Sequence, residues 1–176
     1  MADDRDSLEE ALANAAGSAD AVLISGRSST GPEDHAPGLV ARLGTLDVHG
    51  VALRPASPTG LGLVRGVPVV LLPGNPVSCL CAYDLFGGRI IRKLGGRAVD
   101  WSYRAIDRPL ARKLASSLGP LDYVRVRVVG EKVEPMAIGG ASILSSTTRA
   151  DGFVLVPADL ERYPAGATVK VWLYDF

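Results

Sequence analysis

Cysteine is almost missing from this chain: Cys79 and Cys81 are the only two among 176 residues. On one helix, positions i and i+2 point to different faces, so neither a disulfide between them nor a shared metal is expected. They read as small buried residues of a protein in a reducing, cytoplasmic compartment. A charge excess is missing too. Lys+Arg and Asp+Glu stand at 19 each, so no global field draws the chain to nucleic acid or to a membrane surface. No apolar run reaches membrane-spanning length, and the start, MADDRDSLEE, is acidic, unlike a secretory signal. Histidine is limited to His35 and His49, with no Cys or third His placed to complete a zinc set. Both read as surface or hydrogen-bonded histidines. Internal repeats and low-complexity segments are absent. What is present is an apolar fraction of 47%, enough for a real core in one ordinary domain or two small ones.

The chain is organised around VPVVLLPGNPVSCLCAYDLFGGRIIR, from Val67 to Arg92. Val67 to Leu72 is too short for a helix and rich in β-branched residues, so it reads as a buried strand. Pro73-Gly74-Asn75-Pro76 breaks it with consecutive turn formers. From Val77 the apolar spacing becomes helical, with Val77, Leu80, Cys81, Leu85, Ile90 and Ile91 near one stripe. Asn75 suits the N-cap and Pro76 the first helical position. The N–H groups of Val77, Ser78 and Cys79 would then be free to meet an anion.

Ahead of this stretch, Asp6 to Ala16 has helical spacing, Asp20 to Ile24 reads as a second buried strand, and Gly38 to Leu43 as an amphipathic helix. Leu46 to Leu53 reads as a strand, Pro55 to Gly62 as turn-rich, and Leu63 as part of a short strand. The alternation of strands and helices predicts a mostly parallel sheet. Beyond Gly95-Gly96 the period becomes two. Val124, Val126 and Val128 alternate with Tyr123, Arg125 and Arg127, and Lys132–Ile138, Gly152–Val156 and Thr168–Tyr174 continue the β pattern. The expected organisation is a three-layer α/β domain over residues 1–98 and a small all-β barrel or sandwich over residues 99–176.

Ligands collect at strand ends in an open parallel sheet. The loop after Ile24 offers hydroxyls at Ser28, Ser29 and Thr30, with Gly26 and Gly31 allowing close backbone approach. Glu33 and Asp34 are hard oxygen donors of the kind Mg²⁺ uses when it also holds phosphate. A solvated turn would carry the same residues. Arg125 and Arg127 could meet a phosphate or simply face water.

The order of residues adds more. PGNPVS after an apolar strand, SGRSSTGPEDHAP upstream, VALRPASPTGLG, and GASILSSTTRADGFVLVP near the end resemble the MoeA family of molybdopterin molybdotransferases. The resemblance implies a molybdopterin-binding α/β domain, incomplete at its N-terminal side, followed by the family's C-terminal β domain. It implies binding of adenylylated molybdopterin, Mg²⁺-dependent release of AMP, and insertion of molybdate in molybdenum-cofactor biosynthesis. Carried onto this sequence, it gives Asp34, Asp4 and Arg54 as catalytic, and Asp34 with Glu33 as metal ligands. It places Gly26, Arg27, Ser28, Ser29, Thr30, Gly31, Ser57, Pro58, Pro73, Gly74, Asn75, Pro76, Ser78 and Ser142 around the substrate. The chain departs from the family at Ser57, where a lysine is usual, and at Arg27, where a glycine is usual. Arg27 is expected to restore the lost positive charge from the opposite side of the cleft. The family carries further domains and a carboxylate-bearing loop before the point matching Asp3. The expectation is therefore a homodimer, or a partner that supplies this portion. The alternatives are a non-catalytic molybdopterin-binding or assembly module, or an inactive fragment.

Overall fold

A computed structural model describes residues 5–26, 35–101, 103–136 and 148–174. The chain forms two compact units, one from residues 1–51 with 56–101, the other from residues 52–55 with 102–176.

In the first unit, α1 (Arg5–Ser18) leads to β1 (Val22–Ser25), α2 (Ala36–Leu43) and β2 (Gly44–His49). The chain then lends β3 (Leu53–Arg54) to the second unit and returns for β4 (Gly60–Val64) and β5 (Val67–Leu72). The sheet order is β1-β5-β4-β2. Every residue of β5 from Val69 to Leu72 is buried, as expected of a central strand covered on both faces. Val69 and Leu71 pack with Leu12 and Ala16 of α1 and with Leu39 and Val40 of α2. The alternate positions, Val70 and Leu72, face the other way, toward the helical segment after β5. That segment is α3 (Pro76–Ala82), a π-helical turn (Tyr83–Gly87) and α4 (Gly88–Leu94). The layers are helix, sheet, helix.

Three expectations are corrected by the fold. The sheet is mixed, not mostly parallel: β1 and β5 run parallel, whereas β5–β4 and β4–β2 are antiparallel. The cause is a two-residue connection, Arg65-Gly66, in which both residues have positive φ, 52° and 78°. This is the geometry of a tight hairpin. The strand expected over Leu46–Leu53 ends at His49, because Gly50 (φ 94°) turns the chain and Leu53 joins a different sheet. The helix after Pro76 does not keep one buried stripe. The π turn inserts a residue and rotates α4 relative to α3, so Ile91 is exposed; within α3 itself Leu80 is exposed while Val77, Cys81 and Ala82 are buried.

The second unit adds β6 (Arg104–Pro109), β7 (Leu114–Ala115), β8 (Leu121–Val129), β9 (Lys132–Pro135), β10 (Gly152–Val156), β11 (Arg162–Tyr163) and β12 (Thr168–Leu173). Its main sheet runs β3-β8-β10-β12-β6, with β9 paired to the other side of β8 along part of its length, and β7 pairs β11. A single bridge, Leu110 to Val133, brings the end of β6 to β9. No continuous ladder closes the sheet into a barrel among the described residues. Val124, Val126, Val154, Val156, Val169 and Val171 fill one side with Leu110, Leu114 and Val133. The other side is aromatic: Tyr123 stacks on Phe153 at 4.1 Å and Phe153 on Trp172 at 5.4 Å, with Tyr103 edge-on to Phe153 at 5.5 Å. Arg125 is buried and Arg127 exposed, so the two do not form one solvated face.

Candidate functional site at one edge of the first sheet

Strand pairing decides which loops meet. Because β1 and β5 are parallel with Ser25 opposite Leu72, the chain leaves both strands at the same edge of the sheet. One exit begins with Gly26 and the other is Pro73-Gly74-Asn75-Pro76. The antiparallel partner β4 begins at that edge, with Gly60 opposite Leu71, so the preceding Ser57-Pro58-Thr59 also lies there. His49, opposite Gly60 at the end of β2, completes the row.

The two exits touch. A β-carbon built on Gly74 would stand 3.3 Å from both the Cα and the carbonyl oxygen of Gly26, tighter than ordinary van der Waals contact. Gly26 itself has φ 94°, which side-chain-bearing residues rarely adopt. A glycine in each loop lets the two backbones come together over the sheet edge.

The third loop is closed by its own hydrogen bonds. Gly50 N–H donates to the Thr59 carbonyl at 2.9 Å and Val51 N–H to the Ser57 carbonyl at 2.8 Å. Buried Thr59 donates its hydroxyl to the Ala56 carbonyl at 2.7 Å. Ser57 is thereby presented exposed at the tip.

At the helix start, Asn75 occupies the N-cap and Pro76 the first helical position, as the sequence predicts, but the Asn75 side chain makes no capping bond. Cys79 N–H donates to the Asn75 carbonyl at 2.8 Å, so it is not available to an anion. Ser78 is buried, whereas Gly74, Asn75 and Pro76 are exposed and Pro73 is buried. Asn75 is the side chain of this turn open to a ligand.

Arg54 belongs to the second unit. Its Nε donates to Asp122 Oδ1 at 2.7 Å and its Nη2 to Oδ2 at 2.6 Å, a bidentate fork, and Nη1 donates to Ser117 Oγ at 3.2 Å. The hydrogen bond and charge of Asp122 push the Arg54 guanidinium further from deprotonation than usual. Asp122 was not a sequence candidate. Its signal, an acidic residue opening a strand of otherwise apolar or aromatic neighbours, is recognisable only with Arg54 in view.

The sequence candidates Asp4, Arg27, Ser28, Ser29, Thr30, Gly31, Glu33, Asp34 and Ser142 lie outside the described residues. The described residues of the three edge segments, Gly26, Ala56–Thr59 and Pro73–Ser78, include no carboxylate. No group of three or more His, Cys, Asp or Glu able to hold a metal ion occurs among the described residues. The described part of the edge therefore does not by itself fit a magnesium ion. It offers backbone polar groups, the Ser57 hydroxyl and the Asn75 amide, which suit a polar, hydrogen-bonding ligand.

Comparison with known proteins gives these loops a context. Residues 1–93 match a probable molybdopterin binding domain and residues 107–174 match the MoeA C-terminal region, domain IV. A Methanocaldococcus jannaschii protein named for molybdopterin biosynthesis is 37% identical over 97% of this chain and 40% of its own length. A molybdopterin molybdenumtransferase of Haemophilus influenzae is 25% identical over 97% of this chain and 44% of its own. The crystal structure of a molybdopterin biosynthesis MoeA protein from Pyrococcus horikosii superposes with a TM-score of 0.80 at 31% identity, covering 98% of this chain and 42% of that one. The chain thus spans less than half the length of these relatives. With more than half its residues matched by the first family model and the second following in order, the chain belongs to the MoeA family of molybdopterin-binding-domain proteins.

Proposed function

We propose that this chain binds molybdopterin, in a molybdenum-cofactor biosynthesis role, at the edge where β1, β5 and the loop before β4 end. The observation that carries the reading is the packing of Gly74 on Gly26. It joins the Ser-Gly loop and the Pro-Gly-Asn-Pro turn, the two motifs shared with the family, into one surface. The glycine backbones allow a flat ligand to approach closely, Asn75 can both donate to and accept from a pterin ring, and Ser57 offers a hydroxyl. Arg27, with Ser28, Ser29, Thr30 and Gly31, is assigned to the phosphate. Glu33 and Asp34 are assigned to an Mg²⁺ ion, which would polarise the phosphate when adenylylated molybdopterin is the ligand and molybdate the second substrate. Asp4 is assigned a catalytic role alongside Asp34.

A second reading is a binding module without turnover. It is favoured by Arg54, whose Nε–Nη2 fork is engaged by Asp122 in place of an oxyanion. The two readings share the ligand and differ in chemistry. Mass spectrometry of pterin retained by the purified chain tests what they share: bound molybdopterin is expected, and its absence after expression in a molybdopterin-producing host would contradict both. Release of AMP from adenylylated molybdopterin by the purified chain would favour the first over the second.

A further inference from the structure

The loop carrying Ser57 and Pro58 is tied at two places. Its base is closed by the bonds from Gly50 to Thr59 and from Val51 to Ser57. Between those bonds the chain leaves the first unit for residues 52–55. There β3 lies parallel on β8, with Leu53 opposite Leu121 and Arg54 opposite Asp122, and Leu121 N–H donates to the Ala52 carbonyl at 2.9 Å.

A two-residue strand has few backbone bonds to hold it. Leu53 is buried, and Arg54 Nη1 donates to Ser117 Oγ at 3.2 Å, but the charged hold is the Asp122 carboxylate, 1% exposed. It accepts both Arg54 fork bonds, and at Oδ2 also a hydroxyl bond from Ser116 at 2.6 Å. Charge-assisted bonds of this kind are the strongest available to a short segment. On its return the chain passes through Ala56 at φ 110°, where a β-carbon is strained. Such a conformation persists only if its surroundings over-determine it.

We propose that Asp122 is a positioning residue for this loop: acting through Arg54, it holds the excursion over residues 52–55 and so fixes the strained backbone at Ala56 and the Ser57–Pro58 tip. Its importance for ligand binding rests on the reading of the sheet edge given above. The proposal gives a buried carboxylate remote in sequence a part in shaping that edge, without contact to the ligand.

The test is amide hydrogen exchange by NMR on the full chain, with Asp122→Asn and the milder Ser116→Ala, alongside calorimetric titration with molybdopterin. In Asp122→Asn, exchange at Gly50, Val51 and Thr59 should accelerate about tenfold, the scale of losing charge-assisted hydrogen bonds. Ser116→Ala should produce a smaller acceleration at the same three amides. Exchange at Val69, Val70 and Leu71 should keep its rate in both, and molybdopterin affinity should fall in the same order as the loop loosens. Unchanged exchange at Gly50, Val51 and Thr59 in Asp122→Asn would overturn the proposal. So would equal acceleration of the β5 amides in both variants, because Asp122 would then be a general stabiliser. If the three amides loosen in graded fashion while molybdopterin affinity stays constant, the positioning role stands and the ligand reading of the edge fails.

Discussion

Gly74 and Gly26 meet backbone to backbone, and a β-carbon on Gly74 would come within 3.3 Å of the Gly26 Cα and carbonyl oxygen. The contact turns two separate strand exits into one surface. Replacing Gly74 with valine should force the exits apart, at about 1–3 kcal/mol for overpacking. Urea unfolding would measure this cost. Pterin retention by the folded variant should fall with it, whereas the second unit should keep its near-native aromatic signals.

Asn75→Ala separates a structural role from a binding one. Asn75 sits at the N-cap, but its side chain makes no capping bond. The usual loss of about 1 kcal/mol for removing an N-cap side chain should therefore not appear in a thermal or urea melt. Ligand affinity should drop instead. A full capping loss with unaltered affinity would show that the residue serves only the turn.

How much of this was legible in the sequence depended on distance along the chain. Val67–Leu72 could be read as a strand to the residue, because a short β-branched run before Pro-Gly-Asn-Pro has few other solutions. Gly26, Gly74 and Asn75 could be singled out locally. That Gly26 touches Gly74 depends on β1 and β5 pairing in parallel, which no local pattern states. The antiparallel hairpin did leave a signal, Arg65-Gly66 between two apolar runs, and it outweighed the alternation that suggested a mostly parallel sheet. The π turn at Tyr83–Gly87 left no comparable mark, so the helix's buried face was misread beyond it, at Ile91. The engagement of Arg54 was hidden because its partner, Asp122, is 68 residues away.

Leu71 is fully buried against α1 and α2 at the centre of the first sheet. Leu71→Ala should cost about 2–5 kcal/mol, the range for a leucine removed from a close-packed core. Denaturant unfolding monitored by far-ultraviolet circular dichroism would measure it. A cost below about 1 kcal/mol would show that this layer is loosely packed.

Burial pushes the Cys79 thiol up from its ordinary range. The protonated thiol is the neutral form that burial favours, so its contribution to stability is present below the ordinary thiol pKa and is lost as pH rises through the higher folded value. In a Cys81→Ala background, native Cys79 should react with iodoacetamide more slowly at neutral pH than in urea, and the native rate should begin to climb at a higher pH than the unfolded one. Equal rates and profiles in the two states would contradict the assignment.

The most direct measurement is a titration of ¹⁵N-labelled protein with molybdopterin, read out by amide chemical shifts. Binding at the sheet edge predicts saturable shifts at Gly26, Ser57, Gly74 and Asn75, with Val154 and Val171 of the second unit's core unmoved, and loss of those shifts in Gly74→Val. No saturable shift at Gly26, Gly74 and Asn75, or shifts concentrated at Val154 and Val171, would contradict it.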